Sequence, residues 1–176
     1  MKKHIAAISV ISSIPCAIVC AIYTILPEPM NGLIWCMFLG YFPTFAKGAE
    51  VKQLPNYLCS ITAGVVWSII YHYFFLFLLV SLGLSLTASM FLDVFVITAL
   101  LMFVHIALLG NTRFNIIPLM FPPIASIFAT GNPSFVPYCA ISIVIGCLLA
   151  TYNDSICNFV LRSKLATNRD EAKATE

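Results

Sequence analysis

The 176-residue chain is 61% hydrophobic, has a mean hydropathy of +0.99 and carries charge on only 9% of its residues, for a formal net charge of +2. A soluble domain holds about 25% charged and about 45–50% apolar residues, so this composition excludes a water-covered globule and a basic nucleic-acid-binding surface. The solvent it fits is a bilayer, which a helix crosses in roughly 20 apolar residues.

Six spans are predicted in chain order. Span one covers residues 5–26 and is ended by Pro27-Glu28-Pro29. Its apolar run is about 22 residues, longer than the 7–15 of a leader, so it reads as a span and not a cleaved signal peptide. Its small residues Ser9, Ser13, Cys16, Ala17, Cys20, Ala21 and Thr24 recur every three or four positions, a face suited to close helix packing. Span two, residues 33–46, is short and contains Gly40 and Pro43. Span three covers residues 57–80, with Gly64 and Ser68 as a second small face. Span four covers residues 86–109 and is closed by Gly110-Asn111. Span five, residues 114–129, is short and broken by Pro118, Pro122 and Pro123. Span six covers residues 137–161, and a polar tail follows from Arg162.

Lys2, Lys3, Lys47, Lys52, Arg113, Arg162, Lys164, Arg169 and Lys173 all fall on one side of this six-span arrangement. Basic loops stay in the cytoplasm, so both termini are expected there. Between residues 53 and 161 the only other charged residues are Asp93 and Asp154.

Three spans per half would make a duplicated unit insert upside down. Phe42-Pro43 parallels Phe121-Pro122, and Pro55-Asn56-Tyr57-Leu58-Cys59 parallels Pro137-Tyr138-Cys139. Paired interruptions at matching places point to an inverted repeat with a site between the halves; chance recurrence of proline in an apolar chain is the other reading. Proline removes a backbone donor, and freed backbone groups are tolerated in a membrane only against protein or a watery cavity. Gly40, Pro43, Asn115, Pro118 and Pro122 are therefore the candidate path-lining residues, with the turn at residues 130–134 as an outer mouth. The bland reading is that these prolines only kink packed helices.

His72 and Asp93 lie at similar depth from the loop joining spans three and four. Intramembrane carboxylates face the interior and find partners, so His72 and Asp93 are the expected buried polar pair, serving as a proton-sensitive gate or as a structural bond. His105 and Asp154 read as interfacial, Asp154 pairing with Arg162 or Arg113. The Tyr71–Phe75 aromatic cluster reads as packing or lipid contact. The seven cysteines form no Cys-x-x-Cys and no zinc spacing, and no phosphate loop or catalytic triad is present. No enzyme chemistry and no cofactor are expected.

The stretch Phe38-Leu39-Gly40-Tyr41, followed by Ala63-Gly64-Val65-Val66-Trp67-Ser68, resembles the YcdZ-like bacterial inner-membrane proteins, a family of unknown function. Pro118, Phe128-Ala129, Gly131, Pro137 and the run from Gly146 to Tyr152-Asn153 continue the resemblance across spans two to six. The charged loop at residues 47–52 and the Tyr71–Phe75 cluster depart from it. The resemblance implies an integral protein of a bacterial inner membrane and brings no reaction or functional residue.

The sequence thus predicts an all-α polytopic membrane protein with six transmembrane helices, the second and fifth broken, in a 3+3 inverted repeat. Residues 1–161 form one transmembrane domain and residues 162–176 a cytoplasmic tail in contact with anionic lipid. The expected role is a channel or transporter for a small solute, with membrane lipid and a second copy of the chain as candidate partners and no nucleic acid. The alternative is a structural or accessory subunit packed against other membrane proteins. A polar cavity between the halves would mark the first; a solid centre with an outward small-residue face would mark the second.

Overall fold

Proline and glycine set most of the element boundaries. In the computed structural model, which describes the backbone of residues 2–174 and the side chains of residues 10–160, helix α1 (Lys2–Tyr23) stops short of Pro27, and a 3-10 turn at Met30–Leu33 leads into α2 (Ile34–Ala46). Gly48 at φ +91° and Ala49 at φ +47° turn the chain toward α3 (Leu54–Leu76). Pro55 sits in the first turn of α3, where its missing N–H breaks no helix bond. A π-turn at Phe77–Ser81 extends α3. Helix α4 (Leu86–Phe103) is capped by the Ser85 hydroxyl, which accepts from the Ala88 N–H at 3.3 Å, and ends in a second π-turn, Val104–Leu108. After a 3-10 turn at Ile117–Leu119, α5 (Phe121–Thr130) begins with Pro122 in its first turn and is closed by Gly131 at φ +63°, a left-handed cap that suits glycine. A 3-10 turn at Pro133–Phe135 opens α6 (Val136–Ala174).

Each predicted span has a helix over it, and no strand occurs among the described residues. Three helices are long and apolar enough to cross a membrane: Val51–Ser81, Leu86–Leu108 and Pro133–Val160. Val10–Tyr23 and Ile117–Thr130 are apolar but shorter, and α2 has 13 residues. The expected tail is continuous in backbone with α6 through Ala174. Side chains of Lys2, Lys3, Ser9, Arg162, Lys164, Arg169 and Lys173, which enter the sequence reading, lie outside the described residues.

The two short helices are held by the two long ones. Helix α2 packs along α6, and α5 packs along α3. Helix α1 rests on α6, α4 rests on α3, and α3 touches α6. The first crossing is reciprocal: Gly40 of α2 meets the Ile143 main chain of α6, and Gly146 of α6 meets the Met37 main chain of α2. The second uses Gly64 of α3 against the Met120 main chain beside α5. In lipid, helices associate through close packing and hydrogen bonds and gain little from apolar transfer, so small residues at crossings carry the contact.

The crossings share a sequence pattern. Pro55, Ser60, Ile61 and Gly64 on α3 recur in the same spacing as Pro137, Ser142, Ile143 and Gly146 on α6. Trp67, Tyr71, Ile97, Leu101, Met120 and Ile124 form a core between α3, α4 and α5. Tyr23, Met37 and Leu149, with Cys16, Val19, Cys20 and Tyr41, form the counterpart between α6, α1 and α2. A third cluster joins the long helices, pairing Tyr57 and Ile61 of α3 with Cys139, Ile143 and Cys147 of α6.

Candidate functional site: two end cavities and a buried polar seam

A cavity opens at each end of the helix bundle. One, of about 430 Å³, is lined by Glu50, Lys52, Asp154, Ser155, Asn158 and Phe159, where the turn before α3 meets α6. It offers charges of both signs, and the Asn158 amide donates to Asp154 Oδ2 at 2.8 Å. The other, of about 190 Å³, is lined by His72, Phe75 and Leu76 of α3, Met90 of α4, and Phe128 and Gly131 at the end of α5. Its wall is mainly aromatic and aliphatic, with His72 as its polar side chain. Lys52 and His72 bracket most of α3, so the cavities lie roughly 30 Å apart at 1.5 Å per residue. Between them the Gly40–Ile143 and Gly146–Met37 contacts bring main chain against main chain.

A polar seam runs down α4. Ser89, Asp93, Ile97, Leu101 and His105 are buried at four-residue intervals. That interval keeps one face of a helix toward a neighbour. At one end the seam is fully bonded. His105 is 3% exposed, its Nε2 accepts the Trp67 indole N–H at 2.9 Å, and its Nδ1 lies 2.6 Å from the Phe114 carbonyl oxygen. Because a carbonyl only accepts and an indole N–H only donates, the imidazole is neutral and carries its proton on Nδ1. One ring thus ties α3, α4 and the chain leading to α5. Beside it, the Tyr71 and Thr98 hydroxyls bond at 2.6 Å and tie α3 to α4. At the other end, Ser89 Oγ and both Asp93 oxygens are buried without a hydrogen-bond partner.

On α6, Asn153 does the joining. Its amide donates to the Ser12 carbonyl and the Tyr41 hydroxyl, both at 3.0 Å, and reaches Cys16 Sγ at 3.5 Å. Helices α1, α2 and α6 are therefore stitched at one point. Cys36 Sγ and Ser126 Oγ, 3.6 Å apart, link α2 to α5.

The expected His72–Asp93 pair is not formed. Asp93 has no hydrogen-bond partner, and His72 lines the smaller cavity with its ring edge to Tyr73. Equal depth sets height only; each residue turns a helix by about 100°, and Tyr71, one position earlier, is the side chain that faces α4. His105 is buried within the protein and bonded to Trp67 and Phe114. Asp154 bonds to Asn158 on its own helix.

The five candidate path residues are scattered. Gly40 is sealed against Ile143. Pro43 lies half-buried inside α2, next to buried Thr44, whose hydroxyl donates to the Gly40 carbonyl at 2.8 Å. Asn115 is exposed and donates to the Gly110 carbonyl at 3.1 Å, and Pro118 is exposed in its 3-10 turn. Pro122 is buried in the first turn of α5, where its carbonyl accepts from Ser126 Oγ at 2.8 Å. None of the five lines either end cavity. The α1 stripe divides: Cys16 and Cys20 turn inward toward Tyr23 and Met37, while Ser13, Ala17, Ala21 and Thr24 are exposed.

Sequence reasoning missed Trp67, Asn153 and Glu50. A lone amide such as Asn153 in an apolar run signals a buried bond. Among the described residues no three His, Cys, Asp or Glu side chains assemble to hold a metal ion. Comparison with curated proteins and with solved structures found no match to this chain. The family model described as a protein of unknown function (DUF1097) matches residues 13–158, from the middle of α1 to the middle of α6, and takes in both cavities except Phe159. The chain, three of whose helices are apolar enough to cross a membrane, belongs to that family of unknown function.

Proposed function

We propose that this protein is a transport unit for a small polar solute in a bacterial inner membrane, with six spans, cytoplasmic termini and two inverted three-helix halves. The observation that carries the reading is the correspondence between the halves. Exchanging α1, α2 and α3 for α4, α5 and α6 turns the α2–α6 crossing into the α5–α3 crossing, and the α1–α6 contact into the α4–α3 contact. It also carries Gly64 onto Gly146 and the cavity beside His72 onto the cavity beside Asp154. Inverted-repeat transporters place their sites between such halves and alternate access about them. A closed centre with a vestibule at each end is the form a carrier takes between openings. The larger vestibule, with Glu50, Lys52 and Asp154, suits a zwitterionic or hydrogen-bonding solute. The basic residues on one side of the six-span arrangement support the orientation, and the resemblance to YcdZ-like proteins supports the membrane.

The test is uptake into proteoliposomes with a panel of small neutral, zwitterionic and anionic solutes. Accumulation of at least one above protein-free vesicles is expected. Folded, correctly inserted protein that moves none of them overturns the reading.

A second reading, an accessory subunit, draws on the closed centre and on a shallow exposed groove along α1 lined by Val10, Ser13, Ile14 and Ala17. It expects a cysteine at Ala17 to crosslink to another membrane protein in cells. Crosslinking to a second copy of the chain would instead mark self-association.

A further inference from the structure

The unsatisfied end of the α4 seam is the least explained feature of the interior. Ser89 and Asp93 stand one turn apart on the same helix face, both fully buried. Ser89 Oγ, Asp93 Oδ1 and Asp93 Oδ2 have no hydrogen-bond partner. The other buried serines and threonines have partners: Thr44, Ser68, Ser126 and Thr151 donate to carbonyls three or four residues back, Ser60 donates to the Arg113 carbonyl, and Ser142 reaches Met30 Sδ. Ser89 has none. A buried polar group without a partner is costly, and a buried carboxylate more so, unless a counter-charge accompanies it. These three oxygens are buried without a partner, and two of them belong to one carboxylate whose charge nothing beside it balances.

The chemistry of that cation follows from the donors. Carboxylate and hydroxyl oxygens are hard ligands and suit a proton or an alkali ion over a soft metal. One carboxylate balances one positive charge. From α3, the titratable side chains on this side are Tyr71, whose hydroxyl is engaged with Thr98, and His72 in the adjoining cavity. Residues 121–130 of α5 contain none, and on α4 itself His105 lies three turns away and is already bonded. Met90, next in sequence to Ser89, lines the His72 cavity, so that cavity reaches α4 within one residue of the pair.

We propose that Asp93 and Ser89 form an intramembrane site for one monovalent cation, a proton or Na⁺, reached from the cavity beside His72. Its coupling to solute movement rests on the transport reading; the site itself does not. Loading by a proton converts the carboxylate to a carboxylic acid, whose new O–H can donate to Ser89 Oγ. Loading by Na⁺ keeps the carboxylate and uses Ser89 Oγ as a second ligand.

The test uses the full chain in phosphatidylcholine vesicles and follows the infrared stretch of protonated carboxyl groups through a pH titration, in choline chloride and then in NaCl. A band that disappears as pH rises, and is missing in Asp93→Asn, is expected. If Na⁺ loads the site, NaCl moves that titration to lower pH and raises the melting temperature relative to choline chloride, and Ser89→Ala weakens both effects at least severalfold. If only the proton loads it, the two salts give the same curve and Ser89→Ala shifts the midpoint. Should Asp93→Asn fail to fold, Asp93→Glu identifies the band by moving its frequency. The absence of any Asp93-dependent band that responds to pH or to Na⁺ overturns the proposal. Solute uptake intact with a silent band removes the site and leaves transport; a responsive band without uptake removes transport and leaves the site.

Discussion

Replacing Gly146 by alanine tests the α2–α6 crossing directly. An added Cβ would meet the Met37 carbonyl oxygen and stand 2.8 Å from both the Met37 carbonyl carbon and the Tyr41 nitrogen. Relaxed carbon contacts lie at about 3.5–4.0 Å, so the helices must part by about 1 Å over the whole contact. The opposing atoms are main chain and cannot swing aside. Overpacking of this kind costs about 1–3 kcal/mol, and a rigid neighbour puts Gly146→Ala near the top of that range. The better helix propensity of alanine returns about 0.5–1 kcal/mol, leaving a net loss of about 2 kcal/mol. Gly40→Ala strains the same crossing from the other side, with its Cβ 2.7 Å from the Ile143 carbonyl carbon. Once one alanine has parted the helices, the second costs less, so the pair should couple by about 1 kcal/mol. Gly64→Ala, at the α3–α5 crossing, should add to Gly146→Ala in full. Gly32→Ala, with nothing within 4 Å of its Cβ, is the control. Denaturant melts in mixed micelles compare the unmodified chain, the four single variants and the Gly40/Gly146 and Gly64/Gly146 double variants. The reasoning is refuted if Gly146→Ala is no less stable than Gly32→Ala, or if the Gly40 and Gly146 losses sum without coupling.

Three further outcomes are expected. Trp67→Phe leaves His105 Nε2 as a buried acceptor without a donor and should lower stability by about 1–2 kcal/mol, read by the same melts. Asn153→Ala removes the donor that reaches Ser12, Tyr41 and Cys16 and should cost about 2 kcal/mol, more than Tyr71→Phe, which removes the single bond to Thr98 and about 0.5–1.5 kcal/mol; equal losses would deny Asn153 its joining role. Reporter fusions after Glu28, Ala49, Ser85, Asn111 and Asn132 and at the tail should alternate outside and inside, starting outside; two neighbouring fusions on one side would break the six-span arrangement.

Helix positions were readable because hydropathy and proline act locally. Pro55, Pro122 and Gly131 begin or end helices where they stand, and the short fifth helix follows from the Pro118–Pro123 run; α2, expected to be broken, instead runs unbroken through Gly40 and Pro43 and is ended by the turn at Gly48 and Ala49. Rotation about each helix was not readable. His72 and Asp93 share a depth, yet the α3–α4 contact is made by Tyr71, and His105, in the same four-residue series as Asp93, meets Trp67. Gly40 shows the same limit: a missing side chain reads equally as open space or as room for another backbone, and only the position of Ile143 decides. The spacing of Pro55, Ser60, Ile61 and Gly64 in register with Pro137, Ser142, Ile143 and Gly146 was present in the sequence throughout. The Pro55–Pro137 parallel marks where this register begins, and Ser60, Ile61 and Gly64 carry it along the long helices.

The order in which the helices leave the ribosome bears unequally on the two short ones. Helix α5 emerges with its clasp, α3, already made. Helix α2 waits for α6, about 100 residues later, or roughly 5–20 s at about 5–20 residues per second. During that interval a 13-residue apolar rod with an exposed glycine must be sheltered by the insertion machinery, by α1 or by another protein. Truncations that delete the last helix should therefore be degraded quickly, and the nascent first half is the stage at which a membrane chaperone would hold this chain.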